Sequence, residues 1–183
     1  MLHLITGGAR SGKSAHAEAL ALAHPGPVVY LATAALAAGD DEFAVRIAHH
    51  RARRPAHWRV VETDEDLAGA LAAHAAPDTL LLVDCLTLWL ARFGDGATAR
   101  EAAFADARAA LLATLPCLPG TTLLVTNEIG WGVVPLGAGV RWFVDELGRL
   151  NQAVAACSAR VTLVACGLPL ALKGGAPDGP LSP

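Results

Sequence analysis

The stretch "GGARSGKS" at residues 7–14 has the spacing G-x-x-x-x-G-K-S, and each conserved-type position in that spacing has a chemical use. Gly7 and Gly12 let the backbone turn its N–H groups inward on a phosphate chain, with Gly8, Ala9, Arg10 and Ser11 completing the loop between them. Lys13 adds a mobile positive charge, and Ser14 offers a hydroxyl to Mg²⁺. A helix starting here points its positive end at the same anion. The plainer alternative is a Gly-rich turn with an incidental lysine and serine. Against it stand the apolar "LHLIT" before the loop and the helical "SAHAEALALA" after it, which are the strand and helix that a phosphate loop needs.

Other residues gather chemical weight from their positions. Asp84 ends the apolar run "TLLLVD", where the second acid of a phosphate site holds Mg²⁺ directly or through water; a strand-end Asp can also simply cap the helix expected at "CLTLWL". Glu62 and Glu128 also stand at strand ends, where a carboxylate alone is often only solvated. The segment "DDEFAVRIAHHRARRPAHW" brings two adjacent histidines and several arginines ahead of a helix-ending Arg-Pro. Arg51, Arg53 and Arg54 suit bidentate clamping of oxyanions, and a neutral imidazole can attack phosphorus to give a phosphoramidate. A solvated basic helix face is the alternative. Helical periodicity sets His50 on the stripe of Phe43 and Ile47, which should face the body of the protein, and turns His49 about 100° away. His3, His16, His24, His57 and His74 are isolated, without metal-ligand spacing, and read as structural or exposed.

These groups need a scaffold. Six short β-type runs, "LHLIT", "VVYLAT", "WRVVET", "TLLLVDC", "TTLLVTNE" and "ARVTLVAC", alternate with Ala-rich helical stretches. Continuous apolar strands suit a parallel sheet covered on both faces, so the pattern predicts a three-layer α/β fold. Ligands of such sheets lie at the carboxyl ends of the strands, where Thr33, Glu62, Asp84, Asn127 and Glu128 fall. A chain of 183 residues fits one domain, expected over 1–173, with "GGAPDGPLSP" as a loose tail over 174–183. A formal charge of −3 and an aromatic share of 5% argue against nucleic acid as a partner. Mean hydropathy is +0.42, yet no uncharged apolar stretch reaches the ~18 residues of a membrane span. No N-terminal export signal is apparent and the four cysteines lack C-x-x-C spacing, so buried free thiols in the cytoplasm are expected.

The residues resemble one family closely: the bifunctional adenosylcobinamide kinase and adenosylcobinamide-phosphate guanylyltransferase of cobalamin biosynthesis. The resemblance runs nearly end to end through "TGGARSGKSAHAEALA", "YLATA", "DDEFAVRIAHHRARRPAHWRVVE", "LLVDCLTLW", "VTNEIGWGVVP", "GRLNQ" and "GLPLALK". It implies a P-loop NTPase-type fold and two reactions. ATP or GTP phosphorylates the aminopropanol hydroxyl of adenosylcobinamide; GTP then gives GMP to an enzyme histidine, and the substrate phosphate takes that GMP to form adenosylcobinamide-GDP. The guanylylated histidine of the family falls on His50, with His49 as the alternative because the "AALAAGDDE" connection is longer than in some relatives. Its nucleotide contacts fall on Gly7, Gly8, Ala9, Arg10, Ser11, Gly12, Lys13 and Ser14, on Ala32, Thr33 and Ala34, on Arg51, Ala52, Arg53 and Arg54, and on Glu62 and Asp84. Mg²⁺ as cofactor and a homotrimeric state are implied with them. Two other classes remain open at this point: a single-activity small-molecule kinase in which the His-Arg segment is only a clamp, and a nucleotide-dependent switch without transfer chemistry.

Overall fold

A computed structural model of the chain describes residues 1–34, 54–94 and 100–175. All six predicted strands form: β1 (Leu2–Thr6), β2 (Val28–Ala32), β3 (Arg59–Glu62), β4 (Leu80–Asp84), β5 (Thr121–Val125) and β6 (Arg160–Ala165). They lie parallel in the order β3-β2-β4-β5-β1-β6, and a seventh strand, β7 (Leu168–Lys173), runs antiparallel along β6. The sheet is therefore mostly parallel, as the alternation of strand and helix predicts.

Both faces of the sheet are covered, which is why its strands read as continuous apolar runs. On one face Ile5, Tyr30, Leu80, Leu82, Leu123 and Val125 pack with Ala17 and Ala21 of helix α1 (Lys13–Leu22). On the other face Leu4, Leu31, Leu81, Val83 and Leu124 meet α2 (Leu67–His74), α3 (Leu86–Ala91), α4 (Glu101–Thr114) and α5 (Ala138–Cys157). Burial of each such Leu or Ile side chain is worth about 1.5–3 kcal/mol. Trp89 and Phe93 of the α3 region stack edge-on, and Phe104 joins them from α4, which fixes these helices to each other.

β7 escaped the sequence reading because it carries no core signal. Leu168, Leu170 and Leu172 are more than half exposed, and Pro169 is admissible only on an edge strand. Its register is set by the two-residue loop Cys166–Gly167, whose φ values of 53° and 79° are both positive, as a type I′ hairpin requires. The cysteines also depart from expectation. All four are free, but only Cys85 is buried; Cys157 is half-buried, while Cys117 follows α4 in an exposed 3₁₀ turn and Cys166 lies in the exposed hairpin loop. The helix expected to carry His49 and His50 falls within residues 35–53, outside the described residues, as do residues 176–183 of the expected tail. Among the described residues, no helix is long and apolar enough to cross a membrane.

Candidate active site

Strand register aligns the polar carboxyl edge. Glu62 pairs with Ala32, Ala32 with Asp84, Asp84 with Val125, and Val125 with Ile5, so the residues following this row converge in front of the loop that leaves β1. β5 lies between β1 and β4, and this order inserts Asn127 and Glu128 between the loop and Asp84.

The loop itself is held tightly. A Cβ on Gly7 would stand 2.3 Å from the Val164 carbonyl oxygen and 2.6 Å from Ser11 Oγ, so no larger residue fits there without displacing backbone. Gly12, at φ 96°, occupies the left-handed region and caps α1 without a side chain of its own. The Gly167 N–H of the β6–β7 hairpin donates to the Ser11 carbonyl at 2.8 Å, so the unforeseen hairpin braces the loop from outside. Ala9 and Arg10 are exposed at the loop's crest, with Gly8 half-buried. Ser11 Oγ is buried with no hydrogen-bond partner among the described residues, an orphan that a phosphate oxygen would satisfy.

Lys13 is 8% exposed and its Nζ donates to the Gly8 carbonyl at 3.0 Å, folded back over the loop. Burial lowers its pKa from the ordinary lysine value, against the opposing pull of Cys85 and Asp84. Ser14 is half-buried in the first turn of α1. The N-terminus of α1 and an ammonium group folded over the loop thus stand together, a combination suited to a chain of phosphates.

Asp84 is not a helix cap. Cys85 occupies the N-cap position of α3, and Asp84 Oδ2 instead accepts from the Tyr30 hydroxyl at 3.0 Å. Burial first, then the Asp84 charge, push the Tyr30 phenol far above its ordinary range, so it stays a donor. Arg54, the described member of the predicted arginine group, stacks its guanidinium 3.5 Å from the centroid of the Tyr30 ring, and its Nε is buried without a hydrogen-bond partner among the described residues. Arg51, Ala52, Arg53, His49 and His50 lie outside the described residues. Thr33 spends its hydroxyl on Cys85, donating to the carbonyl and accepting from the N–H, each at 2.8 Å, and so ties the ends of β2 and β4 together. Burial, reinforced by Asp84, raises the Cys85 thiol to about 12, which leaves it an inert packing group. Ala34 follows Thr33 half-buried, and Glu62 is exposed at the far end of the row.

Asn127 and Glu128, expected at the carboxyl end of β5, form a second polar group beside the loop with partners that sequence reasoning missed, Thr6, Thr87, Thr126 and Asn151. Thr6 Oγ1 donates to Glu128 Oε1 at 3.1 Å, and Asn151 Nδ2 of α5 donates to the same oxygen at 3.2 Å. Asn151 also donates to the Asn127 carbonyl and accepts from Thr126 Oγ1. Asn127 in turn donates from its amide side chain to Thr87 Oγ1 at 2.8 Å. For Asn151 the one signal available was a polar Asn within the otherwise amphipathic "GRLNQ" run. After Glu128 the chain enters an exposed apolar segment in which Trp131 is 71%, Val133 96% and Leu136 97% exposed.

The donor set fits Mg²⁺ in kind. Ser14 and Asp84 offer hard oxygen ligands, and Mg²⁺ at phosphates characteristically takes one or two protein oxygens and completes its shell with phosphate and water. Among the described residues no group of three or more His, Cys, Asp or Glu could enclose a metal ion by itself.

A family model described as cobinamide kinase / cobinamide phosphate guanyltransferase matches residues 3–172. The bifunctional adenosylcobalamin biosynthesis protein CobP of Pseudomonas aeruginosa is 51% identical over 175 residues, covering 95% of this chain and 98% of that protein. The bifunctional adenosylcobalamin biosynthesis protein CobU of Salmonella typhimurium is 42% identical over 184 residues, covering 94% of this chain and 100% of that protein. A solved ATPase of a bacterial type III secretion system shares the fold, with a TM-score of 0.50 at 12% identity over 93% of this chain and 56% of its own. The mostly parallel sheet with helices on both faces is accordingly an α/β P-loop NTPase-type fold. Matched over nearly its whole length by the family model and by both relatives, the chain belongs to the cobinamide kinase / cobinamide phosphate guanyltransferase family.

Proposed function

We propose that the loop Gly7–Ser14 holds the nucleoside triphosphate for both reactions of the family, with Lys13 as its fixed cation and His50 as the group that takes GMP. The chain is a bifunctional cobinamide kinase and cobinamide-phosphate guanylyltransferase. In the kinase reaction the aminopropanol hydroxyl of adenosylcobinamide attacks the γ-phosphorus of ATP or GTP. In the second, the imidazole of His50 attacks the α-phosphorus of GTP, pyrophosphate departs, and the phosphate of adenosylcobinamide phosphate then displaces the histidine to give adenosylcobinamide-GDP. The observation that carries the reading is the convergence of a buried Lys13, the orphaned Ser11 hydroxyl and Asp84 at one edge of the sheet.

Each residue has a physical task. Lys13 exchanges its contact with the Gly8 carbonyl for phosphate oxygens, supplying a positive charge already held beside the loop. Ser14 and Asp84 would hold Mg²⁺, which when bound neutralises charge on the phosphate oxygens. Arg54 stacks on Tyr30, which steadies its guanidinium for an oxyanion; Arg51 and Arg53 serve the same end. Ala32, Thr33, Ala34, Ala52 and Glu62 complete the nucleotide contacts. A homotrimer is part of the same reading; the exposed apolar run around Trp131, Val133 and Leu136 supports it by offering surface for a subunit contact. Nucleoside triphosphate substrates favour the cytoplasm as its location.

The test is incubation with adenosylcobinamide, GTP and Mg²⁺, with mass spectrometry of product and protein. The expected product is adenosylcobinamide-GDP, and peptide mapping of the GMP-labelled protein should place the label on His50. His50→Ala should abolish the adduct while phosphorylation continues, because alanine offers no nucleophile and the hydroxyl needs none. Label on His49 would shift the assignment by one residue, and label on neither would sink the covalent route.

A further inference from the structure

We propose that Glu128 is the general base of the kinase reaction, receiving the proton of the substrate hydroxyl. Three observations carry this. The strand order places the end of β5 between the loop after β1 and Asp84 at the end of β4, so Glu128 stands beside the expected position of the terminal phosphate. Its backbone is fixed to the loop itself, with its N–H donating to the Gly7 carbonyl at 3.2 Å. Its carboxylate is held on one side only: Oε1 accepts from Thr6 at 3.1 Å and from Asn151 at 3.2 Å, whereas Oε2 accepts no hydrogen bond among the described residues. A carboxylate anchored through one oxygen and open through the other is oriented without being satisfied, which is what a proton acceptor needs.

In the step, the O–H bond of the alcohol breaks as its oxygen bonds to the γ-phosphorus. The bond from that phosphorus to the β,γ-bridging oxygen breaks, and the nucleoside diphosphate leaves with the electron pair. The hydroxyl proton passes to Glu128 Oε2 and then to solvent. The guanylyl steps need no such base, because a neutral imidazole and an ionised phosphate monoester are both nucleophiles without losing a proton. Thr6 and Asn151 are positioning residues that act through Glu128.

The inference rests on the family's kinase activity, and the wild-type protein tests that separately: failure to phosphorylate adenosylcobinamide would count against the activity, not against the role of Glu128. The experiment compares Glu128→Gln with wild type in two assays, phosphorylation of adenosylcobinamide by ATP and guanylylation of supplied adenosylcobinamide phosphate by GTP. Gln keeps a carbonyl oxygen for Thr6 and Asn151 but cannot take a proton. Kinase kcat is expected to fall on the order of 10²-fold or more at unchanged KM for ATP, with guanylylation near the wild-type rate. Glu128→Ala, assayed with and without formate, should regain kinase turnover when the small carboxylate is present. Unchanged kinase kcat in Glu128→Gln, or a parallel loss of both activities with a lowered melting temperature, would overturn the proposal.

Discussion

The hydroxyl of Tyr30 donates to Asp84 Oδ2 across 3.0 Å, from a ring that is 1% exposed and carries the Arg54 guanidinium on its face. One buried phenol therefore orients the acid at the end of β4 and an arginine arriving from the neighbouring connection. The donor fixes one carboxylate oxygen and leaves the other to the site.

This arrangement separates two variants. Asp84→Asn removes a charged ligand and should raise the Mg²⁺ concentration needed for half-maximal kinase rate by roughly tenfold, with little change in melting temperature. Tyr30→Phe keeps the ring and loses one hydrogen bond, which should cost about 1 kcal/mol of stability and shift the Mg²⁺ titration only slightly. An unchanged Mg²⁺ titration in Asp84→Asn, together with a large fall in melting temperature, would make Asp84 a purely structural partner of Tyr30.

Lys13→Ala should impair both reactions, because one cation beside one triphosphate cradle serves both. Loss of a preorganised charge at the transferring phosphate costs a few kcal/mol, roughly 10²–10³ in rate. Initial rates of phosphorylation and of guanylylation check it. Wild-type turnover in either assay would mean that the two reactions do not share the loop.

Much of this was legible in the sequence for a definite reason. The loop motif, the six parallel strands and Asp84 are local signals: fixed spacing, continuous apolar runs and a polar residue where each run stops. Asn127 and Glu128 were legible as strand-end residues, but their partners were not, because Thr6, Thr87 and Asn151 come from three other stretches of chain and only the tertiary fold brings them together. β7 was missed since its leucines face outward, so its alternation marks no core. Asp84 had two readings that sequence could not divide; the N-cap position of Cys85 and the Tyr30 bond divide them.

Gly7→Ala tests the packing of the loop apart from its charge. The new methyl would sit 2.3 Å from the Val164 carbonyl oxygen, which belongs to β6 and cannot swing away. The loop must move, and a displacement of about 1 Å in a positioning element costs on the order of 10² in rate. Calorimetric titration with a non-hydrolysable triphosphate should show the matching loss of affinity. Wild-type affinity would show that the loop relaxes without cost.

His3 should make stability depend on pH. It lies on β1, buried, with its Nε2 2.8 Å from Thr162 Oγ1. Burial first, then the neighbouring His16 and Arg160, lower its pKa from 6.5 to about 4. His16 is lowered as well, through burial. Between 6.5 and about 4 the unfolded chain binds a proton at His3 that the folded chain refuses, so stability falls as pH drops through that window and is unaffected by His3 above it. The loss attributable to this group reaches on the order of 2–3 kcal/mol at the acid end. Urea unfolding at neutral pH and near the acid end, for wild type and for His3→Gln, isolates it. The variant keeps a hydrogen-bonding group toward Thr162 but does not titrate, so its stability should decline less over the same span. Equal declines would assign the pH dependence to other groups, His16 foremost.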